Sequence, residues 1–458
     1  MDTVNDTLSY WTKYVTRDEF SSMWPLTFSP LQSQLITSLT TLSRSQWFPP
    51  KVIEQQQLIQ AMGLAHFAAE HTNYYADAFK YIDLKSITTM DAWRTLPILT
   101  RKDIQNYSES MLSKAFPAGE APLDWLHTSG SSGEPLKVKT SVQAQYFYTI
   151  FFLRECEWQK RDFKQISGAI RYIKDKDAIK GKGWSKHIQD FIVSGPSCGL
   201  NIKFPPEVQL QWLNQEKPAY LLTYPSNLRA LLNLIQENRA TLPYLKEVRT
   251  FGEICNSALK ELCYKVLNLH LVDMYTTQEL GYVALQGPDN PSLLHVQSEG
   301  VLLEILHDDG SPCKEGEIGR VVITSLHNLA MPIIRYATGD LASFGPACSC
   351  GRGLPTLKEI VGRERHMVSL PNGSKTWPPL MPIFRDFPDI LQFQIIQNSL
   401  TTMIFKLLTR NLLSPEQEYA LKNAFNLAVG FNFEITIEYI DKIERAPSGK
   451  FHEFMSML

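Results

Sequence analysis

The sequence has little excess charge and no apolar run long enough to cross a membrane. Its 45 lysine and arginine residues nearly balance 47 aspartate and glutamate residues, which leaves a formal net charge of −2. A chain with this balance has no basic field that would attract nucleic acid or an anionic membrane surface. A membrane-spanning helix needs about 20 consecutive apolar residues, and none of the apolar runs approaches that length. We therefore expect a protein that binds neither nucleic acid nor membranes.

The sequence also lacks the marks of secretion. Its opening residues, MDTVNDTLSYW, carry acidic side chains where a signal peptide has a basic stretch followed by an apolar core. Seven cysteines in 458 residues are few and odd in number, which is not typical of a disulfide framework. We expect the protein in the reducing cytoplasm. A monomer and a homodimer are both compatible with the sequence.

The chain has 458 residues and the composition of an ordinary globular protein, with 44% hydrophobic and 20% charged residues. This length predicts two or three domains. Helices are predicted over residues 52–70 and after Ser226, which is placed to cap a stripe of Leu228, Leu231, Leu232 and Ile235. Strands are predicted at Ala169–Ile173, Ala219–Thr223, Val301–Leu306 and Gly319–Thr324. Alternating strands and helices predict an α/β body.

The last part of the chain has a different pattern. Ser414-Pro415-Glu416-Gln417 has the sequence of a capping box, and Gly430 is placed to end the helix that follows. That helix is predicted to bury Leu421, Ala424, Phe425 and Ala428, after a strand at Met403–Leu408. Phe433, Ile435, Ile437 and Tyr439 then alternate with polar residues, as in a half-buried strand. With a boundary in Gly362–His366, we predict a large domain, 1–362, and a small α+β domain, 363–458.

The segment from Thr128 to Lys137, TSGSSGEPLK, is the most informative in the chain. Glycines and small hydroxyl residues allow backbone N–H groups and hydroxyls to surround phosphate oxygens without steric cost. A solvated flexible loop is the alternative interpretation of the segment taken alone. It is not a Walker loop, because no Gly-Lys-Ser/Thr follows at the required spacing.

Three further segments accompany this loop in a fixed order: Tyr275-Thr276-Thr277-Gln278-Glu279, Arg335-Tyr336-Ala337-Thr338-Gly339-Asp340 and Arg445-Ala446-Pro447-Ser448-Gly449-Lys450. Together the four segments resemble the motifs of the adenylate-forming superfamily. The CSCGRGLP segment at 348–355 is most similar to the phenylacetate–CoA ligase branch. The resemblance implies a large N-terminal α/β domain and a small mobile C-terminal α+β domain.

The resemblance also implies roles for individual residues. The phosphates of ATP would be held by Thr128, Ser129, Gly130, Ser131, Ser132, Gly133 and Lys137. Glu279 would bind Mg²⁺. Tyr275, Thr276, Gly252 and Glu253 would lie beside the adenine end of the nucleotide, and Asp340 would accept the ribose hydroxyls with support from Arg363. Lys450 would bridge the substrate carboxylate and the phosphate, so Lys450, Glu279 and Thr128 are the predicted catalytic residues.

Each of these residues alone has an ordinary structural interpretation: a surface glutamate, a turn aspartate, a solvated lysine. One position departs from the family pattern, because His366 stands at the hinge where an aspartate is common. An alternative from another class is a non-catalytic nucleotide-binding relative, and intact Lys450, Glu279 and Asp340 argue against it.

A possible zinc site is indicated by Cys348, Cys350 and His295, since two thiolates and an imidazole are zinc ligands. The resemblance implies that some relatives in this branch hold a structural zinc of this kind, with a cysteine shortly before a Leu-His-Val. This sequence has Leu294-His295-Val296, but Gly287-Pro288 stands where that Cys-Pro would be expected. Asp289 and Cys313 are the candidate fourth ligands. The alternative is a site that has lost its metal.

Two weaker patterns complete the sequence. Gly195-Pro196-Ser197-Cys198-Gly199 has the spacing of a serine-hydrolase nucleophile elbow, but Pro205-Pro206 leaves no room for the helix that an elbow requires, so we predict a turn lining the acyl pocket. The lysine-rich run 174–187 is either a solvated loop or a contact for the phosphates of CoA or of a carrier protein.

The expected function follows from these motifs. ATP would convert a carboxylic acid into acyl-AMP and pyrophosphate, and the acyl group would pass to a thiol, with CoA as first choice and a carrier protein's phosphopantetheine or an amine as the alternative. Five aromatic residues after the phosphate loop, on what is predicted to be a buried helix, favour an aromatic or apolar acid: Tyr146, Phe147, Tyr148, Phe151 and Phe152.

Overall fold

The computed structural model describes residues 2–14, 28–116, 121–127, 136–364, 367–378, 380–443, 445, 449 and 451–458. The chain forms two compact units. The larger unit comprises Met1–Thr338 and Ala342–Val361, and the smaller unit comprises Gly339–Leu341 and Gly362–Leu458. Separate movement of a domain 1–362 and a domain 363–458 remains a prediction.

Most of the described helices lie in the larger unit, before and between its strands. They are α1 (Asp2–Trp11), α2 (Pro30–Ser45), α3 (Pro50–His71), α4 (Asn73–Ala78), a 3₁₀ helix (Leu84–Ser86), α5 (Met90–Trp93), α6 (Arg101–Tyr107), α7 (Val142–Trp158), α8 (Pro206–Glu216), α9 (Pro225–Glu237), α10 (Ser257–Leu267) and, in the smaller unit, α11 (Leu380–Arg385) and α12 (Pro415–Val429).

The strands up to residue 363 form a hairpin and one large sheet. They are β1 (Pro122–His127), β2 (Lys137–Ser141), β3 (Ser167–Arg171), β4 (Ala178–Gly181), β5 (Ser197–Asn201), β6 (Tyr220–Thr223), β7 (Glu247–Thr250), β8 (Leu271–Thr277), β9 (Gly281–Gln286), β10 (Leu294–Val296), β11 (Val301–Leu306), β12 (Ile318–Ser325), β13 (Tyr336–Phe344) and β14 (Thr356–Arg363).

Among the described residues the large sheet has 12 strands in the order β11-β12-β13-β14-β10-β9-β8-β7-β6-β3-β5-β4. Strands β5, β3, β6, β7 and β8 run parallel, in that spatial order. Helices α8, α9 and α10 alternate with these strands along the chain, as parallel connections require. Strands β8 to β12 include antiparallel pairs. The predicted α/β class is confirmed.

The predicted elements of the larger unit are present, with ends displaced by a few residues. The predicted helix at 52–70 is α3, and the predicted strands are β3, β6, β11 and β12. One predicted cap is wrong. The N-cap of α9 is Tyr224, without a side-chain cap bond, and Ser226 lies inside the first turn. There its backbone N–H donates to the Glu253 carboxylate at 2.9 Å. The Glu253 carboxylate therefore caps the helix in place of the serine side chain.

The smaller unit packs two helices and a sheet in the order β19-β18-β17-β20, from β17 (Ile390–Gln397), β18 (Thr402–Thr409), β19 (Glu434–Tyr439) and β20 (Phe454–Ser456), with a hairpin of β15 (Val368–Ser369) and β16 (Lys375–Thr376). The capping box of Ser414 and Gln417 is confirmed, and Gly430 ends α12 at φ 73°. Leu421 and Phe425 are buried as predicted, but Ala428 is exposed and Val429 is buried in its place.

In the described part of the chain, every helix is too short or too polar to traverse a lipid bilayer.

Candidate active site

The phosphate-loop segment connects the two strands of a β-hairpin. Strand β1 ends at His127 and β2 begins at Lys137, and these two residues lie opposite each other in the antiparallel pair. The two ends of the segment are therefore fixed beside one another. Lys137 is exposed. The predicted phosphate ligands between them lie outside the described residues: Thr128, Ser129, Gly130, Ser131, Ser132 and Gly133.

Glu279 lies on the tight turn between β8 and β9. The hydroxyl of Thr277 accepts the N–H of Leu280 at 3.0 Å, which closes the turn. Gly281 follows with φ 79°, a conformation that favours glycine. The turn leaves the Glu279 side chain half-buried at the surface of the larger unit. A carboxylate in this position is open to a cation.

Gln278, beside Glu279, ties this turn to the phosphate-loop hairpin. Its side-chain amide donates to the carbonyl of His127 at 3.0 Å. His127 is the residue immediately before Thr128. Two motifs that lie about 150 residues apart in the sequence are thus joined by one hydrogen bond. Sequence reasoning gave Gln278 no role, and only its place inside the motif could have pointed to it.

Tyr275 and Thr276 lie at an irregularity in the pairing of β8 with β9. The register shifts between these two residues, and such a bulge redirects side chains. Tyr275 is only 7% exposed and packs in a core cluster with Val283 and Ala284, whereas Thr276 is half-buried. Most of the tyrosine ring predicted to lie beside adenine is therefore part of the core.

Gly252 and Glu253 lie in the loop after β7. Gly252 has φ 75°, which suits glycine. The carboxylate of Glu253 accepts the N–H of Ser226 at 2.9 Å, at the N-terminus of α9 where a negative charge is stabilised. This contact fixes the loop against α9, and the ring of Phe251 stacks on Tyr224 with centroids 4.7 Å apart.

Asp340 and Arg363 lie on the neighbouring strands β13 and β14. The guanidinium of Arg363 donates to the Asp340 carboxylate at 3.1 Å. Asp340 is 7% exposed. The structure thus brings together the two residues that the resemblance pairs.

Arg335 opens the same motif and is fully buried. It forms a double contact with the carboxylate of Glu304, at 3.0 and 3.2 Å. It also donates to the carbonyls of Arg94 and Leu96. These contacts hold Arg335 at φ 50°, an unusual conformation for a non-glycine residue that persists where the surroundings over-determine it. Sequence reasoning listed Arg335 in the motif but missed its anchoring contacts.

Lys450 and His366 lie outside the described residues. Their roles at the mobile lysine and the hinge remain predictions.

Comparison with known proteins finds matches over parts of the chain. The family model of the CapK C-terminal domain matches residues 377–456. Phenylacetate–coenzyme A ligase of Thermus thermophilus is 37% identical over 86 residues, which are 18% of this chain and 19% of that protein. Phenylacetate–coenzyme A ligase of Escherichia coli is 28% identical over 174 residues, 35% of this chain and 38% of that protein. The chain thus spans less than half the length of these curated relatives.

A solved structure of 2-hydroxyisobutyryl-CoA ligase, in the postadenylation state with an acyl-AMP, superimposes with a TM-score of 0.73. It covers 90% of this chain and 91% of that chain, at 14% identity, so it shows the fold. The chain is thus similar in sequence to phenylacetate–CoA ligases over part of its length and has the fold of this solved CoA ligase. The predicted resemblance is confirmed.

The fold also brings the predicted zinc ligands together. The ligating atoms of His295, Cys348 and Cys350 lie within 4.8 Å of one another. Nε2 of His295 is 3.4 Å from the Cys350 sulfur. The other ring nitrogen, Nδ1, is buried without a hydrogen-bond partner among the described residues. Burial lowers the pKa of His295 to about 4, so the imidazole is neutral, as a metal ligand must be.

Neither candidate fourth ligand joins this cluster. Asp289 is paired with Arg352 at 2.7 Å, and Cys313 lies in a different group. At Gly287 a Cβ would lie 2.9 Å from Nδ1 of His295. The histidine ring therefore occupies the space that a side chain at position 287 would need. The described residues of this cluster supply three ligands of types that bind zinc.

The Gly-x-Ser-x-Gly segment of this chain is not a nucleophile elbow. Ser197 opens strand β5, which runs beside β3, and its hydroxyl donates to the carbonyl of Gly183 at 2.7 Å. The predicted turn is wrong, because residues 197–201 extend the parallel sheet. The lysine-rich run 174–187 includes edge strand β4, and its Lys180 pairs with Glu216 at 2.8 Å.

Proposed function

We propose that the protein activates a carboxylic acid with ATP, forming acyl-AMP and pyrophosphate, and then transfers the acyl group to the thiol of CoA. The observation that carries this proposal is the hydrogen bond from Gln278 to the His127 carbonyl. It places the carboxylate-bearing turn next to the start of the phosphate-loop segment. That is the arrangement needed to bring a cation and nucleotide phosphates together.

In the first step a carboxylate oxygen of the acid attacks the α-phosphorus of ATP, and the bond to the β-phosphate oxygen breaks. Magnesium bound with ATP supplies positive charge to the phosphates. Glu279 contributes a carboxylate ligand for that cation, and the hydroxyls and backbone of residues 128–133 hold the phosphates. The Lys450 ammonium balances the negative charge that grows between the two reactants.

Asp340 is the proposed ribose ligand. A carboxylate can accept both ribose hydroxyls, and its 3.1 Å contact with Arg363 holds it in one orientation. Asp340 is largely buried, and removing the cationic partner of a buried carboxylate is costly, so Arg363 is a structural partner of the proposed ribose ligand. An oriented acceptor binds the two hydroxyls without reorganisation.

In the second step the CoA thiol attacks the acyl carbonyl and AMP leaves. The names of the relatives support CoA as the acceptor. The solved relative that carries an acyl-AMP supports the intermediate. We further propose that the smaller unit rotates about residues 362–366 between the steps and withdraws Lys450.

The acid is proposed to be aromatic or apolar. Helix α7 carries the five aromatic residues predicted from the sequence, and Tyr148 among them is 42% exposed. It lies against Gly281, where an added Cβ would be 3.3 Å from its ring, and its ring centroid is 4.8 Å from that of Tyr282. Gly281 follows Glu279 by two positions, so an exposed aromatic ring against Gly281 suits a flat or apolar substituent of the acid.

The experiment is pyrophosphate release from MgATP with a panel of aryl and aliphatic acids, with and without CoA. Acid-dependent release that CoA stimulates supports the proposal. If CoA leaves the release unchanged but a phosphopantetheinyl carrier protein or an amine stimulates it, the acceptor is that carrier protein or amine, and the proposed first step still holds. Nucleotide binding without release for any acid would instead indicate a non-catalytic relative.

A further inference from the structure

The end of the β11–β12 hairpin carries a second group of metal-ligating side chains, apart from the nucleotide site and from the His295 cluster. The ligating atoms of His307, Cys313 and Glu317 lie within 4.8 Å of one another. Nε2 of His307 is 3.1 Å from a carboxylate oxygen of Glu317. None of the three residues belongs to a motif of the proposed reaction.

The backbone fixes all three positions. The N–H of His307 donates to the carbonyl of Ser311 at 2.9 Å, and the N–H of Cys313 donates to that of Ile305 at 2.9 Å. The N–H of Glu317 donates to the carbonyl of Lys314 at 3.1 Å. The two turns that result contain Gly310 at φ 85° and Gly316 at φ 83°, so each turn has the residue its geometry requires.

The sulfur lies on the inner side of the group. Cys313 is 8% exposed, and a Cβ at Gly319 would overlap its sulfur, so the glycine leaves the space that the thiol fills. The side chains of His307 and Glu317 are 42% and 43% exposed. The group therefore has a buried soft ligand and an open side toward solvent.

We propose that His307, Cys313 and Glu317 form a second zinc site, with water in the fourth position. One thiolate, one imidazole and one carboxylate are the ligand types that Zn²⁺ takes, whereas Ca²⁺ and Mg²⁺ select oxygen alone. Binding replaces the thiol proton of Cys313, which leaves to solvent. Strand β11 lies at an edge of the large sheet. The bound ion therefore stabilises the loop of the β11–β12 hairpin at this edge.

The test measures Co²⁺ binding by full-length protein freed of metal, because cobalt reports thiolate ligation through its absorption bands. The parent carries Cys348→Ser and Cys350→Ser, so the first cluster does not contribute. We expect one thiolate-ligated Co²⁺ per chain, displaced by Zn²⁺. Adding Cys313→Ser removes the thiolate bands. Adding His307→Ala weakens Co²⁺ binding at least about 10-fold, because loss of a residue that only supports a metal ligand already lowers metal affinity by about that factor. His187→Ala, at an exposed histidine outside both groups, leaves binding unchanged.

Two results overturn the proposal: a parent that binds no cobalt, or a His307→Ala variant that binds as tightly as the parent. In the second case the His307–Glu317 contact is an ordinary surface ion pair. His307 and Glu317 are half-exposed, so His307→Ala and Glu317→Gln decide the question even where Cys313→Ser fails to fold. The readout is metal binding, so it is independent of the proposed ligase activity.

Discussion

Gln278 shows how a single side chain can connect two motifs. Its only described role is the 3.0 Å bond to the His127 carbonyl, and an exposed hydrogen bond of this kind contributes little to stability, about 1 kcal/mol. Its proposed effect is on position, because it holds the start of the phosphate-loop segment against the turn that carries Glu279. Small displacements at such sites are costly for catalysis.

We therefore predict that Gln278→Ala lowers kcat/KM for acyl-AMP formation by roughly 10-fold, about 1.4 kcal/mol in transition-state stabilisation, with an unchanged melting temperature. The initial rate of pyrophosphate release under limiting ATP measures this kcat/KM. Gln236→Ala, at an exposed position of α9, is the matched control. Equal activity of the two variants would contradict the positioning role.

In the proposed mechanism, Lys450 is the residue on which we expect the first step to depend most. Lys450→Ala should abolish acid-dependent pyrophosphate release, because the ammonium that offsets developing charge is lost. Circular dichroism and nucleotide binding should remain as in the wild type. Lys442→Ala, on the same C-terminal segment, serves as control. Full adenylation by the Lys450 variant would exclude the proposed role.

At the scale of the element, strand β8 carries a buried carboxylate that opposes folding. Asp273 is 8% exposed, and its described side-chain donor is the Thr250 hydroxyl at 3.1 Å. Burial raises the pKa of Asp273 to about 6 from 3.8. The folded state thus binds the proton more tightly than the unfolded state. Its carboxylate costs stability progressively as pH rises from about 4 through 6, up to about 3 kcal/mol above that range.

Asp273→Asn should remove this cost, so the variant should unfold at a higher urea concentration than the wild type at pH 7. The difference should shrink toward pH 4, where the wild-type carboxyl is also neutral. Unfolding followed by tryptophan fluorescence at both pH values measures it. A difference that is independent of pH would show that Asp273 is not the titrating group.

The three ligands of the first metal cluster come from two distant elements, since His295 lies on β10 and the two cysteines follow β13. A zinc ion there would crosslink these elements, and such ions add directly to folding stability. We predict that purified protein contains zinc at this cluster, and that Cys348→Ser with Cys350→Ser lowers the zinc content by one ion per chain and lowers the melting temperature by several degrees. Cys255→Ser, outside both metal groups, should do neither. Unchanged metal content in the double variant would contradict a site at this cluster.

At the scale of the whole molecule, the chain passes from the larger to the smaller unit at Val361 and Gly362. Gly362 has φ 136°, a conformation that other residues rarely adopt. If the units rotate here, a branched side chain should restrict that movement more than it restricts binding within either unit.

Gly362→Val should therefore slow thioester formation more than acyl-AMP formation, by roughly 10-fold in relative rate. The two half-reactions are measured separately, as acyl-AMP burst and as acyl-CoA accumulation. Gly373→Val also places a branched residue at a positive φ, 84°, but on a turn inside the smaller unit, and it should affect both half-reactions equally. An equal loss of both half-reactions in Gly362→Val would argue against rotation at this position.

Several features of the fold could be predicted from the sequence because they depend on local chemistry. The capping box at Ser414, the glycine that ends α12 and the alternation in β19 each follow from neighbouring residues, and all are confirmed. The four ordered motifs also predicted the resemblance to phenylacetate–CoA ligases that the comparisons found, since each motif is a short local segment. Local pattern was less reliable at element edges, as the exposed Ala428 illustrates.

Tertiary structure alone decided which distant groups meet. Glu253 replaces the predicted Ser226 cap because the loop after β7 reaches the start of α9. The side chain of Gln278 contacts His127 only because a hairpin and a turn 150 residues apart lie together. His307, Cys313 and Glu317 form a group because two glycine turns fold the end of one hairpin. These contacts depend on the path of the whole chain, and a local residue pattern does not encode that path.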